Sequence, residues 1–242
     1  MTTLARITIT TVLSFLLFSC NFDVHFNSGV KGNGNVTVED RSVNAPFSSI
    51  KAAEGLSVYL TQGNDTKISV EADENLQELI LVEVEDDVLK IHTKKNIGRS
   101  KAKNVIVHFR DISGISGSSG SSIKSTNTIA TKHLDVNGSS GSSIKLDVAT
   151  EVLDCHSSSG SNVKLAGETD RLIADASSGS QIKAQDLIAQ VSNADASSGA
   201  NISVNTKESL VAKASSGGNV SYYGNPKTIE KNNGVSGSIS QR

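Results

Sequence analysis

Residues 139–146 read SSGSSIKL, and one period later residues 158–165 read SSGSNVKL. The Ser-Ser-Gly triplet recurs, and its glycines are Gly120, Gly141, Gly160, Gly179, Gly199 and Gly217, with a weaker copy at Gly237. The gaps between these glycines are 21, 19, 19, 20, 18 and 20 residues. A period near twenty, without a helical hydrophobic pattern, predicts a β-solenoid in which each repeat forms one coil of a stack.

Apolar residues stand at odd distances from each glycine. The column three positions after it contains Ile123, Ile144, Val163, Ile182, Ile202 and Val220, and the column five positions before it contains Ile115, Val136, Cys155, Ala174, Ala194 and Ala212. Because strand side chains alternate between two faces, the odd positions form one buried face. The sequence therefore predicts an all-β fold, a right-handed parallel β-helix with ~20-residue coils over residues 111–240.

Small residues occupy the column three positions before the glycine: Gly117, Gly138, Ser157, Ala176, Ala196 and Ala214. We expect them to let two walls of the solenoid approach closely beside each corner. The chain has 4% aromatic residues and no Trp, which agrees with a core of small side chains. Its 23 Lys and Arg against 25 Asp and Glu exclude a basic nucleic-acid-binding protein.

The even positions are polar, and four positions after the glycine they include a series of lysines: Lys124, Lys145, Lys164 and Lys183. We call these four residues the lysine ladder. Stacked at one-coil spacing, they are a candidate binding stripe for an acidic glycan or a lipid surface. The sequence alone favours the alternative, that they only line an exposed face and discourage edge pairing. The corner serines are predicted to make hydrogen bonds rather than to act as nucleophiles.

The N-terminal part of the repeat region is less regular. Residues 43–110 are predicted to form irregular β coils or a cap, and residues 48–51 (SSIK) match residues 121–124 letter for letter. Residues 73–79 are predicted to form one short helix with Asp73 as its N-cap. Residues 20–42, which include GNGN at 32–35, are predicted to be a flexible tether.

The first residues of the chain indicate where the protein is located. Residues 1–19 are typical of a signal peptide, because Arg6 precedes an apolar stretch too short to span a bilayer. Residues 17–20 (LFSC) resemble a bacterial lipobox, which predicts that Cys20 is acylated and anchors the protein, with Asn21 favouring the outer membrane. The alternative is a plain cleaved signal. An acylated Cys20 would leave Cys155 without a disulfide partner.

Catalytic residue types occur, but not in a catalytic arrangement. Asp154, His156 and Ser158 alternate on one strand face, where side chains two apart are ~6.6 Å apart along the strand, too far for a Ser-His-Asp relay. The five histidines show no metal-ligand spacing. We therefore predict no catalytic residue, no cofactor and no metal site.

Stacked carboxylates keep one enzymatic alternative open. Asp135 and Asp154 share a column, as do Asp175 and Asp195, so each pair is expected ~5 Å apart, the separation in retaining glycosidases. Polysaccharide clefts usually carry aromatic side chains as well, and the repeats are poor in them. A solvated acidic surface is the interpretation that we favour.

Four stretches resemble a known family: GNGNV at residues 32–36, FSSI at 47–50, VYLTQG at 58–63 and VEADENL at 70–76. Together with the Ser-Gly-Ser repeats they resemble the head GIN domain family, whose members are called auto-transporter adhesins. The resemblance covers about residues 32–240. It implies a β-helical fold and a secreted or lipid-anchored bacterial protein, and it brings no catalytic motif.

The leading hypothesis is a non-enzymatic, lipid-anchored cell-envelope protein, an adhesin or binding module that presents a polar β-helix face. Its expected partners are the membrane, through the lipid, and a glycan or surface protein; no nucleic acid is expected, and the oligomeric state is open. The alternatives are a carbohydrate-active β-helix lyase or hydrolase and a self-assembling structural protein joined through its exposed strand edges.

Overall fold

The structure, a computed structural model, describes residues 29–43 and 45–242. It consists of one 16-stranded sheet and one 3-10 helix, Glu74–Leu79. No helix within these two ranges is long and apolar enough to cross a membrane. The strands are β1 Val36–Arg41, β2 Ser49–Ala52, β3 Ser57–Gln62, β4 Lys67–Asp73, β5 Ile80–Glu85, β6 Val88–Thr93, β7 Lys103–Phe109, β8 Gly114–Gly117, β9 Ser122–Gly138, β10 Ser143–Ser157, β11 Asn162–Ala176, β12 Gln181–Ala196, β13 Asn201–Ala214, β14 Asn219–Tyr223, β15 Thr228–Asn233 and β16 Ser238–Gln241.

Strands β9 to β13 form the regular part of the solenoid, each paired in parallel with the next. Ile144 lies opposite Ile123 on one side and Val163 on the other, and Val163 lies opposite Ile182. None of these four side chains is more than 1% exposed. The predicted fold class is confirmed: the chain is a β-solenoid of about 7 turns with coils about 19 residues apart.

The Ser-Ser-Gly corners are tight turns with two residues in the left-handed region. In one of them Ser159 has φ 51° and Gly160 has φ 71°. The Ser161 N–H donates to the Ser158 carbonyl across this turn at 3.1 Å. Two central residues with positive φ are the mark of a type I′ turn, and the same pair recurs at every Ser-Ser-Gly corner.

Each corner is also hydrogen-bonded to its neighbours in the stack. The Gly160 N–H donates to the Ser178 carbonyl of the next coil at 3.1 Å, and the Ser177 N–H donates to the Ser157 carbonyl at 3.0 Å. The buried Ser180 side chain adds a third link, because its Oγ donates to the same Ser157 carbonyl at 2.7 Å. These bonds keep successive corners in vertical register.

The small inward column behaves as predicted. A Cβ added to Gly138 would lie 3.0 Å from Val163 Cγ2 and 3.1 Å from Ser161 Oγ, so these neighbours would have to shift by a few tenths of an ångström to admit even a methyl group. Cys155 lies in the neighbouring inward column and is fully buried. Burial raises the pKa of the Cys155 thiol far above its ordinary value, so the thiol stays neutral and packs as a small apolar group.

The difference in length between successive coils is accommodated at the corner that follows the lysine column. The register between β9 and β10 pairs Lys145 with Lys124 but then pairs Asp147 with Thr128. The longer coil therefore has three residues, 125–127, where the next coil has only Leu146, and its two additional residues lie at this one corner. The core columns on either side of it stay aligned.

The N-terminal part contains a coil, formed by β2 and β3, that lacks the Ser-Ser-Gly triplet of the later coils. Strand β2 pairs in parallel with β8, and β3 pairs in parallel with β9. Between β2 and β3, Glu54 and Gly55 have φ of 58° and 68°, and the Gly55 N–H donates to the Ser119 carbonyl at 3.0 Å. Residues 53–55 are thus an early corner of the stack, with Ala-Glu-Gly in place of Ser-Ser-Gly.

An alignment of residues 48–51 with residues 121–124, based on their identical letters, would give this coil the wrong register. Ile50 lies opposite Ile115, in the column five positions before the corner glycine. Val58 is the residue that lies opposite Ile123. Backbone pairing at the corner decides the register, and a four-letter identity does not reveal it.

Antiparallel strands cover the N-terminal end of the solenoid. Strands β6 and β7 form a further coil, which pairs in parallel with β2 and β3. Strand β5 pairs antiparallel with β6, β4 pairs antiparallel with β7, and β1 pairs antiparallel with β4. The tether predicted over residues 20–42 therefore extends too far, because Val36–Arg41 is a strand fixed by its pairing with β4.

Asp73 does not have the role expected of it. The helix that follows is a 3-10 helix, and the Asp73 side chain makes no capping bond to it. The buried carboxylate instead accepts the N–H groups of Ala102 at 2.9 Å, Gly34 at 2.8 Å and Lys101 at 3.0 Å. These bonds lower the pKa of Asp73 against the opposing effect of burial. The carboxylate thus ties together the segments that precede β1 and β7.

Within residues 29–43 and 45–242, no antiparallel strand covers the C-terminal end of the solenoid. All residues of β15 are exposed. Lys231 of this strand lies opposite the buried Ala212, and its Nζ lies 4.7 Å from the centre of the Tyr222 ring. A lysine in a column that is apolar in every earlier coil disfavours the stacking of another copy on this end.

We predict that Gly160→Ala destabilises the protein by ~1–2 kcal/mol. A Cβ at this position meets nothing within 4 Å, so the cost arises from the positive φ of 71° alone. Chemical denaturation followed by circular dichroism measures it. Gly63→Ala is the matched control, since its Cβ also meets nothing within 4 Å and its φ is not positive. An equal loss of stability in both variants would contradict the turn assignment.

We predict that Asp73→Asn lowers stability at pH 7 and that the difference from the wild type shrinks in acid. The folded-state pKa of Asp73 is lowered, so its stabilisation is present above the unfolded-state pKa of about 3.9 and is lost as the pH falls through the folded-state pKa. Urea denaturation at pH 7 and pH 3 tests this. Asp65→Asn, in an exposed turn, is the control and should show no such difference.

Candidate functional site

The lysine ladder forms as the repeat predicts. Lys124 lies opposite Lys145, Lys145 opposite Lys164, and Lys164 opposite Lys183. Because parallel strands lie about 4.8 Å apart, the four lysines make a straight row about 14 Å long. Lys124 and Lys145 are exposed, and Lys164 and Lys183 are partly exposed.

The charge of the ladder is only partly neutralised. Lys164 Nζ lies 2.9 Å from Asp186 Oδ2. Within the described ranges, 29–43 and 45–242, Lys124, Lys145 and Lys183 form no ion pair. The row therefore presents ammonium groups whose charges are free to meet an external anion.

An aromatic side chain extends the row. Tyr59 of β3 lies opposite Lys124 and is partly exposed, so its ring stands next to the lysines in the same column. Sequence reasoning missed Tyr59 because its corner reads Ala-Glu-Gly. The signal was present nonetheless: Tyr59 stands four positions after Gly55, as Lys145 stands four positions after Gly141.

A second polar cluster lies on a different segment of the coils. His133 Nε2 lies 3.4 Å from Asp135 Oδ2 and 3.5 Å from Asp154 Oδ2. His133 and Asp135 are two residues apart on β9, and Asp154 of β10 lies directly opposite Asp135. Histidine spacing along the sequence does not reveal this cluster, since its members come from two coils.

The residues considered for a catalytic relay do not form one. His156 Nδ1 lies 3.3 Å from Asp175 of the next coil, whereas Asp154 approaches His133 of the previous coil. Ser158 is held by its own corner, where its N–H donates to Ser161 Oγ at 3.1 Å. Asp154, His156 and Ser158 therefore each contact a different neighbour rather than one another.

The predicted carboxylate pairs are in register. Asp135 lies opposite Asp154, and Asp175 lies opposite Asp195. Partial burial raises the pKa of Asp175; the nearby His156 lowers it, and the charge of Asp195 raises it further. A groove runs beside Asp175 and Asp195, and His156, Asn137 and small residues of the corners also line it.

Cys20, the predicted lipid attachment site, lies outside the described residues, as do residues 1–19. Its acylation therefore stays a prediction from the lipobox pattern.

Solved structures share this architecture. The structure of a putative adhesin from Bacteroides fragilis has a TM-score of 0.80 and 22% sequence identity, covering 88% of this chain and 100% of that chain. A putative lipid binding protein from Parabacteroides distasonis has a TM-score of 0.72 and 20% identity, covering 88% and 99%. A putative adhesin from Parabacteroides merdae has a TM-score of 0.70 and 18% identity, covering 88% and 98%. At these identities the likeness shows a common fold.

None of the curated proteins compared with this chain matches it. A family model does match, over residues 46–226, and its description is "Putative auto-transporter adhesin, head GIN domain". That range includes the coil formed by β2 and β3, the lysine ladder and the Ser-Ser-Gly corners from Gly120 to Gly217. The resemblance seen in the sequence is thereby confirmed, and the chain belongs to the head GIN domain family.

Proposed function

We propose that this protein is a non-enzymatic, lipid-anchored adhesin of the bacterial cell envelope that binds acidic glycans through the lysine ladder and Tyr59. The observation that carries the proposal is the register of the ladder: four lysines in one column, three of them without an ion pair among the described residues. A row of like charges at a constant spacing matches a polymer with a regularly repeated negative charge.

Tyr59 adds a contact that charge alone does not provide. Its ring is a flat apolar surface with a polar hydroxyl, a combination suited to packing against a sugar ring. Its place in the same column as Lys124 means that one extended ligand can touch both. The combination of aromatic ring and ammonium groups favours a charged saccharide over a simple anion.

The shape of the ladder favours a glycan chain over a membrane surface. The row is one side chain wide, which fits a linear ligand lying along the solenoid axis. Adsorption to anionic lipid calls instead for a broad basic patch or an amphipathic apolar face. One structural relative is nevertheless named a lipid binding protein, so lipid vesicles belong in the test.

The envelope location rests on two supports. The LFSC sequence at residues 17–20 follows an apolar stretch of signal-peptide length. The family description and two of the relatives name adhesins, which act at cell surfaces. We propose the outer membrane as the site of anchoring, with the lipid on Cys20.

We predict that Lys124→Glu/Lys145→Glu weakens binding to polygalacturonate or chondroitin sulfate by about tenfold, because each exposed ion pair contributes up to about 1 kcal/mol. Biolayer interferometry measures the affinity, with neutral dextran as the negative ligand. Lys94→Glu/Lys95→Glu is the matched control, since it makes the same charge change in the loop before β7.

Three results would count against this proposal. Equal losses in the two double variants would show that binding follows net charge, and preferential binding to phosphatidylglycerol vesicles would favour a lipid ligand. Release of new reducing ends from polygalacturonate, abolished by Asp175→Asn, would favour the hydrolase alternative through the carboxylate pair.

We predict that Cys20→Ser transfers the protein from the detergent phase to the aqueous phase in a Triton X-114 partition of cells. The reason is that acyl chains on this residue would be the membrane anchor. Cys155→Ala is the matched control and should stay in the detergent phase, because Ala174 already fills the same column in the next coil. An unmodified mature Cys20 in mass spectrometry would refute the anchor.

A further inference from the structure

We propose that His133, Asp135 and Asp154 form a binding site for a divalent transition-metal ion, with zinc as the best match. Strand β9 supplies His133 and Asp135 from the same face, two residues apart, and β10 supplies Asp154 directly opposite Asp135. One nitrogen and two carboxylate oxygens are a donor set that zinc accepts. The parallel stacking of two coils creates the cluster.

The two distances from His133 fit a metal site better than they fit hydrogen bonds. His133 Nε2 is 3.4 Å from Asp135 Oδ2 and 3.5 Å from Asp154 Oδ2, beyond the usual N–H···O range of about 2.7–3.2 Å. All three ligand atoms lie within 4.8 Å of one another. Ligand bonds of about 2.1 Å in a tetrahedral zinc site place the ligand atoms about 3.4 Å apart.

A second observation is the state of Asp154. Its side chain is 21% exposed, and its Oδ1 atom is fully buried without a hydrogen-bond partner in the part of the chain that the structure describes. The oxygen of Asp154 that lies near His133 is Oδ2, so an ion held by both oxygens of this carboxylate would also satisfy Oδ1. A cation beside Asp154 would also offset the repulsion between its carboxylate and that of Asp135.

The site is open on its outer side. His133 and Asp135 are 47% and 49% exposed, and the residue opposite Asp135 in the preceding coil is Gly114, which has no side chain to cover it. With three protein ligands, an ion would keep a coordination position for water or for an oxygen of a partner molecule. The next coil has Arg171 and Ile173 in these columns, so the cluster is not simply repeated there.

Isothermal titration of the untagged protein with zinc chloride tests the proposal, and cobalt substitution with absorption spectroscopy reports the ligand geometry. We expect one ion per chain in the wild type. His133→Ala and Asp154→Asn should weaken binding by more than the roughly 10–100-fold that loss of an outer-sphere partner costs. His92→Ala is the matched control, because His92 Nε2 lies 3.5 Å from a single carboxylate, that of Glu83.

Retention of zinc binding by His92→Ala and its loss from both site variants would support the site. The absence of stoichiometric binding by the wild type would overturn it, as would unchanged binding in His133→Ala and Asp154→Asn. Thermal unfolding without metal shows whether each variant is folded, and Asp135→Asn, at an exposed position, provides a further test should either of the others fail to fold.

Discussion

The structure depends on backbone hydrogen bonds that run from one coil to the next. A strand in this molecule has no hairpin partner of its own in the repeat region; its N–H and C=O groups are satisfied by the coils on either side. The corners obey the same constraint, since the Gly160 N–H binds the Ser178 carbonyl and the Ser177 N–H binds the Ser157 carbonyl. Left-handed Ser-Gly pairs are the residues that let the chain turn while these bonds form.

Because equivalent residues of successive coils lie opposite each other, a repeat in the sequence becomes a row of like side chains on the surface. A residue that recurs once per coil becomes a row with the strand spacing of about 4.8 Å, and the lysine ladder is such a row. Residues that do not recur can still meet across two coils, as His133, Asp135 and Asp154 do. The first kind of site suits an extended ligand, and the second suits a small ion.

The regular coils could be predicted from sequence because the glycines mark the register and the buried columns follow by counting. The early coil could not, because Ala-Glu-Gly replaces Ser-Ser-Gly and residues 56–117 separate its corner from the first Ser-Ser-Gly corner. Tyr59 lies in this coil and was missed for the same reason. The shared column of Asp135 and Asp154 was predictable, whereas the approach of His133 depends on side-chain positions that spacing does not determine. Asp73 was misjudged because its partners, Gly34, Lys101 and Ala102, are distant in sequence.

The corner after the lysine column absorbs changes in coil length, as the step from the Lys145–Lys124 pair to the Asp147–Thr128 pair demonstrates. From β9 to β12, length variation is confined to this edge of the solenoid, beside the row of lysines, while the packed columns keep their alignment. Between β12 and β13 the register shifts a second time, between Ala189 and Val191. A foreign peptide grafted between Ser125 and Thr128 would be displayed on a rigid support without disturbing the core.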